Sequence, residues 1–318
     1  MSLRNTLKFV YFKALDIFNI DKHYLAKIKK NNNLVILNLH RISNDKNPFY
    51  PSLTPELFEK LLNYVTGNFN VITFNDIEVN KNSIKPNLIL SFDDGFYDFL
   101  DNAMPILKKY NIKANLNVIP SCIETGLPVW DVLLGDILNN IAIDTINSID
   151  VPDFYITLNE TNRSQYGLAL TRHLKQLTKE KREALWMRFY NLISKFKVKH
   201  TKMLNKQDII YIAKFHEIGA HSFSHESMAI ESNEFFKNDF LKCRKYFTNI
   251  LKIPMNIYAF PSGSYKNNQI DFLHNNGINH VLLVDEQYAS SNSQGYHRFT
   301  YYANSASEVK MRAVGFQR

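Results

Sequence analysis

Three short stretches of this 318-residue chain combine side chains that could do chemistry. The first is Ser91-Phe-Asp-Asp-Gly95, in which Asp93 and Asp94 directly follow an apolar run. Adjacent carboxylates repel each other, so such a pair retains a proton or binds a cation. The alternative is a helix N-terminus, where capping and the helix dipole favour acidic residues, although one aspartate would be enough there.

The other two stretches carry a pair of histidines and a tight turn. In Gly219-Ala-His-Ser-Phe-Ser-His225 the histidines lie four residues apart, which suits zinc or a related divalent ion. In Tyr258-Ala-Phe-Pro-Ser-Gly-Ser-Tyr265 an apolar run is followed by a predicted turn. This turn is either an ordinary β-turn or one whose backbone N–H groups bind an oxyanion. One aspartate and two histidines make a three-ligand set with an open position, and the second aspartate remains as a base.

Each of these stretches follows an apolar run that predicts a strand. Strands are predicted at residues 34–40, 71–74, 88–92, 114–119, 217–220, 257–260 and 280–284, the last of which closes the series. Helices are predicted at residues 55–65, 97–110, 206–215, 233–251 and 269–275. This alternation is typical of an α/β domain with a parallel sheet or barrel, where active sites lie at the carboxyl ends of the strands.

Two segments lie outside this alternation. Residues 1–30 form a predicted amphipathic helical segment, with a helix over residues 3–18 whose apolar face contains Leu3, Leu7, Val10, Ala14 and Ile17. We expect a surface helix that packs on the domain, and contact with a membrane surface is the alternative. A catalytic domain is predicted over residues 31–318, with a mostly helical insertion at about 125–205.

Charge and composition exclude several classes of protein. The net charge is +8, but residues 172–206 contain eleven Lys/Arg against two Glu, and residues 1–30 contain seven against two Asp. The remainder is therefore acidic, a distribution that argues against a nucleic-acid partner and leaves contact of either basic segment with an anionic membrane open. With 45% hydrophobic residues and two cysteines, the chain is neither disordered nor a disulfide scaffold.

The apolar runs of the sequence also bear on location. None approaches the ~20 residues that a membrane-spanning helix needs. Lys8 and Lys13 interrupt the first apolar run, so no secretory signal is predicted. We therefore expect a cytoplasmic protein, or one peripheral on the inner face of the membrane.

The order and spacing of the motifs resemble those of the polysaccharide deacetylases, the NodB-homology or carbohydrate esterase 4 family. Ser91–Gly95 and His221–His225 are similar to the first two motifs, and Phe260-Pro-Ser-Gly263 is similar to the third. The opening Leu37-Asn-Leu-His-Arg41, followed by residues 51–58 and 69–73, resembles a subgroup whose barrel is effectively circularly permuted. The resemblance covers about residues 33–124 and 203–315.

The resemblance implies a distorted (β/α)7 barrel with a metal site. Asp94, His221 and His225 would hold the metal, zinc above all, with cobalt, nickel or iron as alternatives. Asp93 would be the catalytic base, and His40 the general acid, as in the permuted subgroup. The backbone at Ser262 and Gly263 would bind the substrate and its oxyanion.

Two positions depart from the family pattern. Many members have an arginine at the start of the third motif that pairs with the base, but here Ala259 or Phe260 takes its place. Arg41 and Arg298 are the candidates to replace it. A late Leu-x-His motif is also absent, since Leu282-Leu-Val-Asp285 has no histidine; the permuted arrangement explains this absence through His40.

The implied function is that of a metal-dependent hydrolase. It would remove an N-acetyl group from an amino sugar of a surface polysaccharide, or of its lipid- or nucleotide-linked precursor, and release acetate. A deformylase or O-acetyl esterase on a similar sugar would need the same residues. A catalytically inactive sugar-binding module is the alternative outside enzymes.

Overall fold

The computed structural model describes residues 3–45, 47–290 and 294–317. Residues 1 and 2, where the predicted N-terminal segment begins, and residue 318, where the predicted catalytic domain ends, lie outside these ranges. The strands are β1 Val35–Leu39, β2 Asn70–Val71, β3 Asn87–Phe92, β4 Asn115–Val118, β5 Glu217–Ala220, β6 Ile257–Ala259, β7 His280–Leu282 and β8 Phe299–Thr300. The helices are α1 Leu3–Ile17, α2 Ile20–Lys30, α3 Pro55–Asn68, α4 Met104–Lys109, α5 Pro120–Thr125, α6 Trp130–Asn140, α7 Ile143–Asn147, α8 Arg163–Lys175, α9 Lys179–Phe196, α10 Lys206–Ile212, α11 Asn233–Tyr246, α12 Asn267–Asn275 and α13 Ala306–Ala313.

Seven of the strands form a distorted barrel, as predicted. They pair in parallel in the order β7-β6-β5-β4-β3-β1-β8, and β2 also pairs with β3. The two ends of this row meet in the segment before β8. Tyr296 pairs with Leu282 of β7, and Phe299 then pairs with Leu37 of β1. Residues 296–300 thus contact β7 on one side and β1 on the other, which closes the barrel.

The apolar runs explain the barrel wall. All five residues of β1 are buried, and β3 is buried from Leu88 to Phe92. Such continuous burial is typical of parallel strands that are covered on both faces. Helices α3, α4, α10, α11, α12 and α13 supply the covering layer; in α3 the Thr54 hydroxyl caps the helix by accepting the Leu57 N–H at 3.3 Å. Because the strands are parallel, their carboxyl ends lie at the same edge of the barrel.

The predicted order of elements needs two corrections. The strand predicted at 71–74 is only Asn70–Val71, because the Thr73 and Asp76 side chains form a capping box that starts a 3-10 turn. The prediction that β7 closes the series is wrong, since β8 and α13 follow it. A two-residue strand has no alternation that a sequence pattern could reveal, and pairing with β1 defines it.

The N-terminal helix packs through a different face from the predicted one. Phe12 of α1 is buried against Met311 and Phe316 at the C-terminal end of the chain, whereas Leu7, Val10 and Ile17 of the predicted face are exposed. The helix therefore packs on the domain as expected, but the predicted apolar face does not make the contact. Aromatic contacts with the Phe316 ring and an ion pair from Lys8 to Glu308 at 2.7 Å fix the opposite face instead.

Helices α6 to α9 occupy most of the predicted insertion. They pack around an apolar cluster of their own, which includes Leu134, Leu138, Leu170, Leu174 and Phe189. The predicted domain boundaries stay a prediction. Within the described ranges, no helix has the length and apolar character needed to cross a membrane.

Candidate active site

The loops that follow β1, β3, β5 and β6 open into one cavity of about 520 Å³. Six of the predicted site residues line it, namely His40, Asp93, Asp94, His221, His225 and Ser262. The seventh, Gly263, lies next to Ser262 in the turn, and its N–H donates to the Phe260 carbonyl at 3.4 Å. The strand ends therefore bring together motifs that are up to about 220 residues apart in the sequence, as expected for a parallel barrel.

Asp94, His221 and His225 converge on one point in this cavity. Their ligand atoms lie within 4.8 Å of one another, and all three side chains are buried. Asp94 Oδ1 is 3.5 Å from His221 Nε2 and 3.4 Å from His225 Nε2, yet it has no hydrogen bond among the described residues. A buried carboxylate oxygen without a hydrogen bond is costly. One carboxylate and two imidazoles with such an orphaned oxygen fit a divalent metal.

The hydrogen bond of His221 orients its ring for metal binding. Nδ1 lies 2.9 Å from the Ala259 carbonyl oxygen, which can only accept, so Nδ1 carries the proton. The lone pair of Nε2 then faces Asp94, the arrangement in which histidines bind metals. Burial, only partly opposed by Asp93, lowers the pKa of His221 to about 4, which keeps the ring neutral.

The pKa of His225 moves the other way. Burial would lower it, but the nearby carboxylates of Asp94 and Asp131 outweigh burial and raise the pKa. Their negative charge stabilises a cation at this point, whether it is a proton on the imidazole or a metal ion.

The loop that carries the histidines has an unusual backbone. Ser222 and His225 adopt positive φ angles of 57° and 56°, and Asp94 in the facing loop has a φ of 75°. Non-glycine residues rarely adopt this region, and those that do concentrate at functional sites. The Asp239 carboxylate holds the histidine loop in place by accepting the N–H groups of Phe223 at 2.8 Å and Ser224 at 3.1 Å.

Arg298 is the arginine that pairs with Asp93. Its Nη1 donates to Asp93 Oδ1 at 2.9 Å and its Nη2 to Oδ2 at 2.8 Å, a bidentate pair that is fully buried. Asn117 also donates to Oδ1 at 2.7 Å. Burial would raise the pKa of Asp93, but Arg298 and His221 outweigh it and hold the pKa well below its ordinary value. Arg41, the other candidate, instead pairs with Asp98 at 2.8 Å.

A close approach of two strands positions Asn117. A Cβ atom on Gly219 of β5 would lie 2.1 Å from Asn117 Oδ1, so any larger residue would displace that side chain. Gly219 thus allows Asn117 to reach Asp93 from the neighbouring strand. A glycine is therefore required at position 219 by packing against Asn117.

The structure adds a tyrosine that the sequence analysis missed. The Tyr50 hydroxyl donates to Asp94 Oδ2 at 2.7 Å, and its ring lies 5.9 Å from the His40 ring. Tyr50 thus occupies the second oxygen of Asp94 and leaves Oδ1 for a metal. It belongs to an irregular loop before α3, and no pattern in that loop indicates contact with the site.

The insertion also contributes to the cavity. Asp131 of α6 and Lys175 of α8 line it and form an ion pair of 2.7 Å. Lys175 Nζ also lies 3.3 Å from Ser262 Oγ in the third-motif turn. Next to these residues, Nη2 of the buried Arg182 in α9 donates to both carboxylate oxygens of Glu226, the residue after His225. Helices of the basic segment therefore contact the site directly, which charge counting could not predict.

Comparison with known proteins agrees with this geometry. A sequence model of the family described as polysaccharide deacetylase matches residues 180–281, which include the histidine loop and the Pro261–Gly263 turn. Asp93 and Arg298 lie outside the matched segment. The search of curated proteins gave no significant match.

Solved structures share the fold at low sequence identity. The deacetylase PplD from Streptococcus pyogenes, in complex with acetate, superposes with a TM-score of 0.58 at 16% identity, covering 89% of this chain and 98% of that one. IcaB from Ammonifex degensii gives 0.57 at 14%, covering 89% and 97%. A de-N-acetylase from Aggregatibacter actinomycetemcomitans gives 0.50 at 16%, covering 84% and 94%. The fold and the family match relate the chain to the polysaccharide deacetylases, as its motifs predicted; the permuted subgroup stays a prediction.

Proposed function

We propose that this protein is a metal-dependent carbohydrate N-deacetylase, a hydrolase that cleaves the amide bond of an N-acetylated amino sugar. The observation that carries the proposal is the convergence of Asp94, His221 and His225 on a buried point beside Asp93, which Arg298 holds ionised. The family match and the names of the structural neighbours, a deacetylase with bound acetate and a de-N-acetylase, support the reaction class.

Asp94, His221 and His225 would hold the metal, for which zinc is the first candidate and cobalt, nickel or iron are alternatives. A divalent ion, when bound, supplies Lewis-acid polarisation and favours ionisation of water. A donor set of one carboxylate and two imidazoles would leave a coordination position for water or substrate, as in catalytic zinc sites.

Asp93 is the proposed base. A carboxylate offers about four lone-pair directions, and Arg298 and Asn117 use two on Oδ1 but only one on Oδ2. Oδ2 keeps an acceptor site, 3.8 Å from His221 Nε2, from which it can take a proton from the attacking water. The bidentate arginine fixes the carboxylate plane, so the base needs little reorientation during the reaction.

His40 and Ser262 are the proposed partners of the leaving group and the oxyanion. His40 lines the same cavity and would donate a proton to the amine as the C–N bond breaks. The Ser262 N–H would donate to the oxygen that develops negative charge. Ser262 has a φ of 54°, so the backbone of this turn does not follow a helical path at that residue. The products are acetate and a free amino sugar.

The proposed substrate is an amino sugar of a surface polysaccharide, or its lipid- or nucleotide-linked precursor, handled in the cytoplasm or at the inner face of the membrane. The Lys175–Asp131 pair supports a polar ligand beside Ser262, since both side chains offer hydrogen bonds to hydroxyl groups. A formyl amide or an acetate ester would require the same residues. An inactive sugar-binding module is disfavoured, because the base and its arginine stand in bonding geometry.

Release of acetate from an oligomer of N-acetylglucosamine tests the proposal. We expect turnover by the zinc-loaded wild type, and a loss of at least about a hundredfold in Asp93→Asn, because a missing general base costs about 10²–10⁴-fold. Asp285→Asn is the matched control, since Asp285 contacts Tyr265 and His297 and does not line the cavity.

The proposal fails if wild type and Asp93→Asn release acetate equally, or if wild type binds the oligomer without cleaving it. Parallel assays with an O-acetylated and an N-formylated sugar compare the rates for the acetamide, the ester and the formamide. A faster ester or formamide reaction would replace the N-deacetylase assignment.

A further inference from the structure

Helix α1 presents an unpartnered apolar stripe. Leu7, Val10, Ile17 and Phe18 at its end expose 63%, 58%, 66% and 76% of their surface, and we call these four residues the α1 stripe. Successive members are three, seven and one residues apart, and these separations place all four along one side of a helix. The opposite side, through Phe12, is already packed on the C-terminal residues. Contiguous exposed apolar surface of this kind marks an interaction site.

The two N-terminal helices also carry exposed basic side chains. Lys13 of α1 and Lys27, Lys29 and Lys30 of α2 are exposed, and none forms an ion pair with another described residue. The acidic residues of the two helices are occupied, since Asp16 pairs with Lys310 and Asp21 is buried against Tyr64. An exposed apolar helix side, with one unpaired lysine on the same helix and three on the next, is complementary to an anionic lipid surface.

The same helix contacts a residue that lines the active-site cavity. Lys8 of α1 sits 5.1 Å from the ring centre of Tyr302, and Tyr302 lines the cavity. Lys8 also pairs with Glu308 at 2.7 Å, which fixes α1 relative to α13. Helix α1 is therefore joined to the wall of the cavity that contains Asp93 and Asp94 through Tyr302 and α13.

From these observations we infer that α1 docks this protein on an anionic phospholipid bilayer and brings the cavity to substrates held at that surface. The second half of this inference rests on the proposed function, and it favours a lipid-linked amino sugar over a nucleotide-linked one. A second copy of the chain fits the stripe less well, because a symmetric contact would bring the free lysines of both copies together.

Sedimentation with vesicles tests the docking. The full chain is mixed with phosphatidylcholine vesicles that contain phosphatidylglycerol, and with phosphatidylcholine vesicles alone. We expect binding to the anionic vesicles that weakens with salt, because a surface potential acts only within a Debye length. Val10→Ser/Ile17→Ser should lower the partition coefficient at least about tenfold, since two apolar side chains no longer enter the interface.

The chain offers a matched control for this variant. Val79 and Ile84 are another valine and isoleucine, exposed by 82% and 85%, in the segment between β2 and β3. Val79→Ser/Ile84→Ser should bind the vesicles like wild type. A third variant, Lys27→Gln/Lys29→Gln/Lys30→Gln, should lose about tenfold or more on anionic vesicles, at about 1 kcal/mol per basic residue near the surface.

Three results would overturn the inference: no vesicle binding by wild type, equal binding by Val10→Ser/Ile17→Ser, or a dimer that this variant dissociates in sedimentation velocity. The last would assign the stripe to a second copy. Acetate release from the water-soluble oligomer separates this test from that of the proposed function. We expect Val10→Ser/Ile17→Ser to keep it, whereas an inactive wild type that still binds vesicles would contradict only the deacetylase.

Discussion

At the scale of single residues, the pairing of Asp93 with Arg298 is the contact on which the chemistry depends most. Both guanidinium donors reach the carboxylate, and Asn117 adds a third hydrogen bond. Because the pair is buried, the charge of Asp93 is maintained by these contacts rather than by water. The arginine arrives from the end of the chain instead of from the third motif.

Arg298→Lys is the first residue-scale test of this pair. Lysine keeps the positive charge but loses the bidentate geometry. The ionised form of Asp93 is then less stabilised, so its pKa rises. A base needs its ionised form, so the acidic limb of kcat/KM should move to higher pH, with kcat at least about tenfold lower. Unchanged metal content would show that the metal ligands are intact, and an unmoved pH profile would contradict the role.

At the scale of elements, the parallel pairing of β4 and β5, in which Asn117 lies opposite Gly219, positions the base through Asn117. Gly219→Ala would place a Cβ 2.1 Å from Asn117 Oδ1, so Asn117 must move away from Asp93. Overpacking of this kind costs about 1–3 kcal/mol of unfolding free energy. We expect a lower midpoint in chemical denaturation together with reduced turnover.

Gly67→Ala is the control for that substitution. Gly67 lies in α3, and a Cβ there would meet no atom within 4 Å. Alanine in a helix is favoured over glycine by about 0.5–1 kcal/mol, so this variant should be as stable as wild type or more so. If Gly219→Ala behaves like Gly67→Ala, the close approach to Asn117 has no energetic importance.

The elements also show how far the sequence determines the site. The loops after β3, β5 and β6 were predictable, because apolar residues mark those strands, most clearly in β3, and the motifs follow directly. β8 was missed because two residues carry no periodicity, and with it the position of Arg298. Tyr50 and Lys175 reach the cavity from an irregular loop and from a basic helix, and their contacts depend on tertiary packing that no local pattern encodes.

The face of α1 illustrates a different reason. Apolar residues occur on two sides of this helix, so its periodicity does not decide which side packs on the barrel. Phe12 is buried because Met311 and Phe316, almost 300 residues later in the chain, form its contact surface. Such a choice depends on the partner element rather than on the helix itself.

At the scale of the whole molecule, His216 links stability to pH. It is buried before β5, and its Nδ1 accepts the Ala114 N–H at 3.2 Å. Burial, aided by Lys113, lowers its pKa to about 4 in the folded state. Since an unfolded histidine titrates near ~6.5, stability is fully present above that pH and falls by up to about 1.4 kcal/mol per unit as the pH drops toward 4.

His216→Asn isolates this contribution. The asparagine oxygen can accept the Ala114 N–H but does not titrate, so the wild-type advantage in unfolding free energy should shrink between pH 6.5 and pH 4.5. Urea denaturation of both proteins across this range measures the difference. A difference that stays constant with pH would show that His216 does not titrate with folding.

The central claim, that Asp94, His221 and His225 form a metal site and Asp93 does not, is tested most directly by elemental mass spectrometry of the purified protein. We expect about one zinc, cobalt, nickel or iron per chain in wild type and in Asp93→Asn, and most of it lost in Asp94→Asn and His225→Ala. Metal that is lost in Asp93→Asn but kept in Asp94→Asn would reverse the two carboxylates. A wild type that binds no metal, even after dialysis against zinc, would contradict the account.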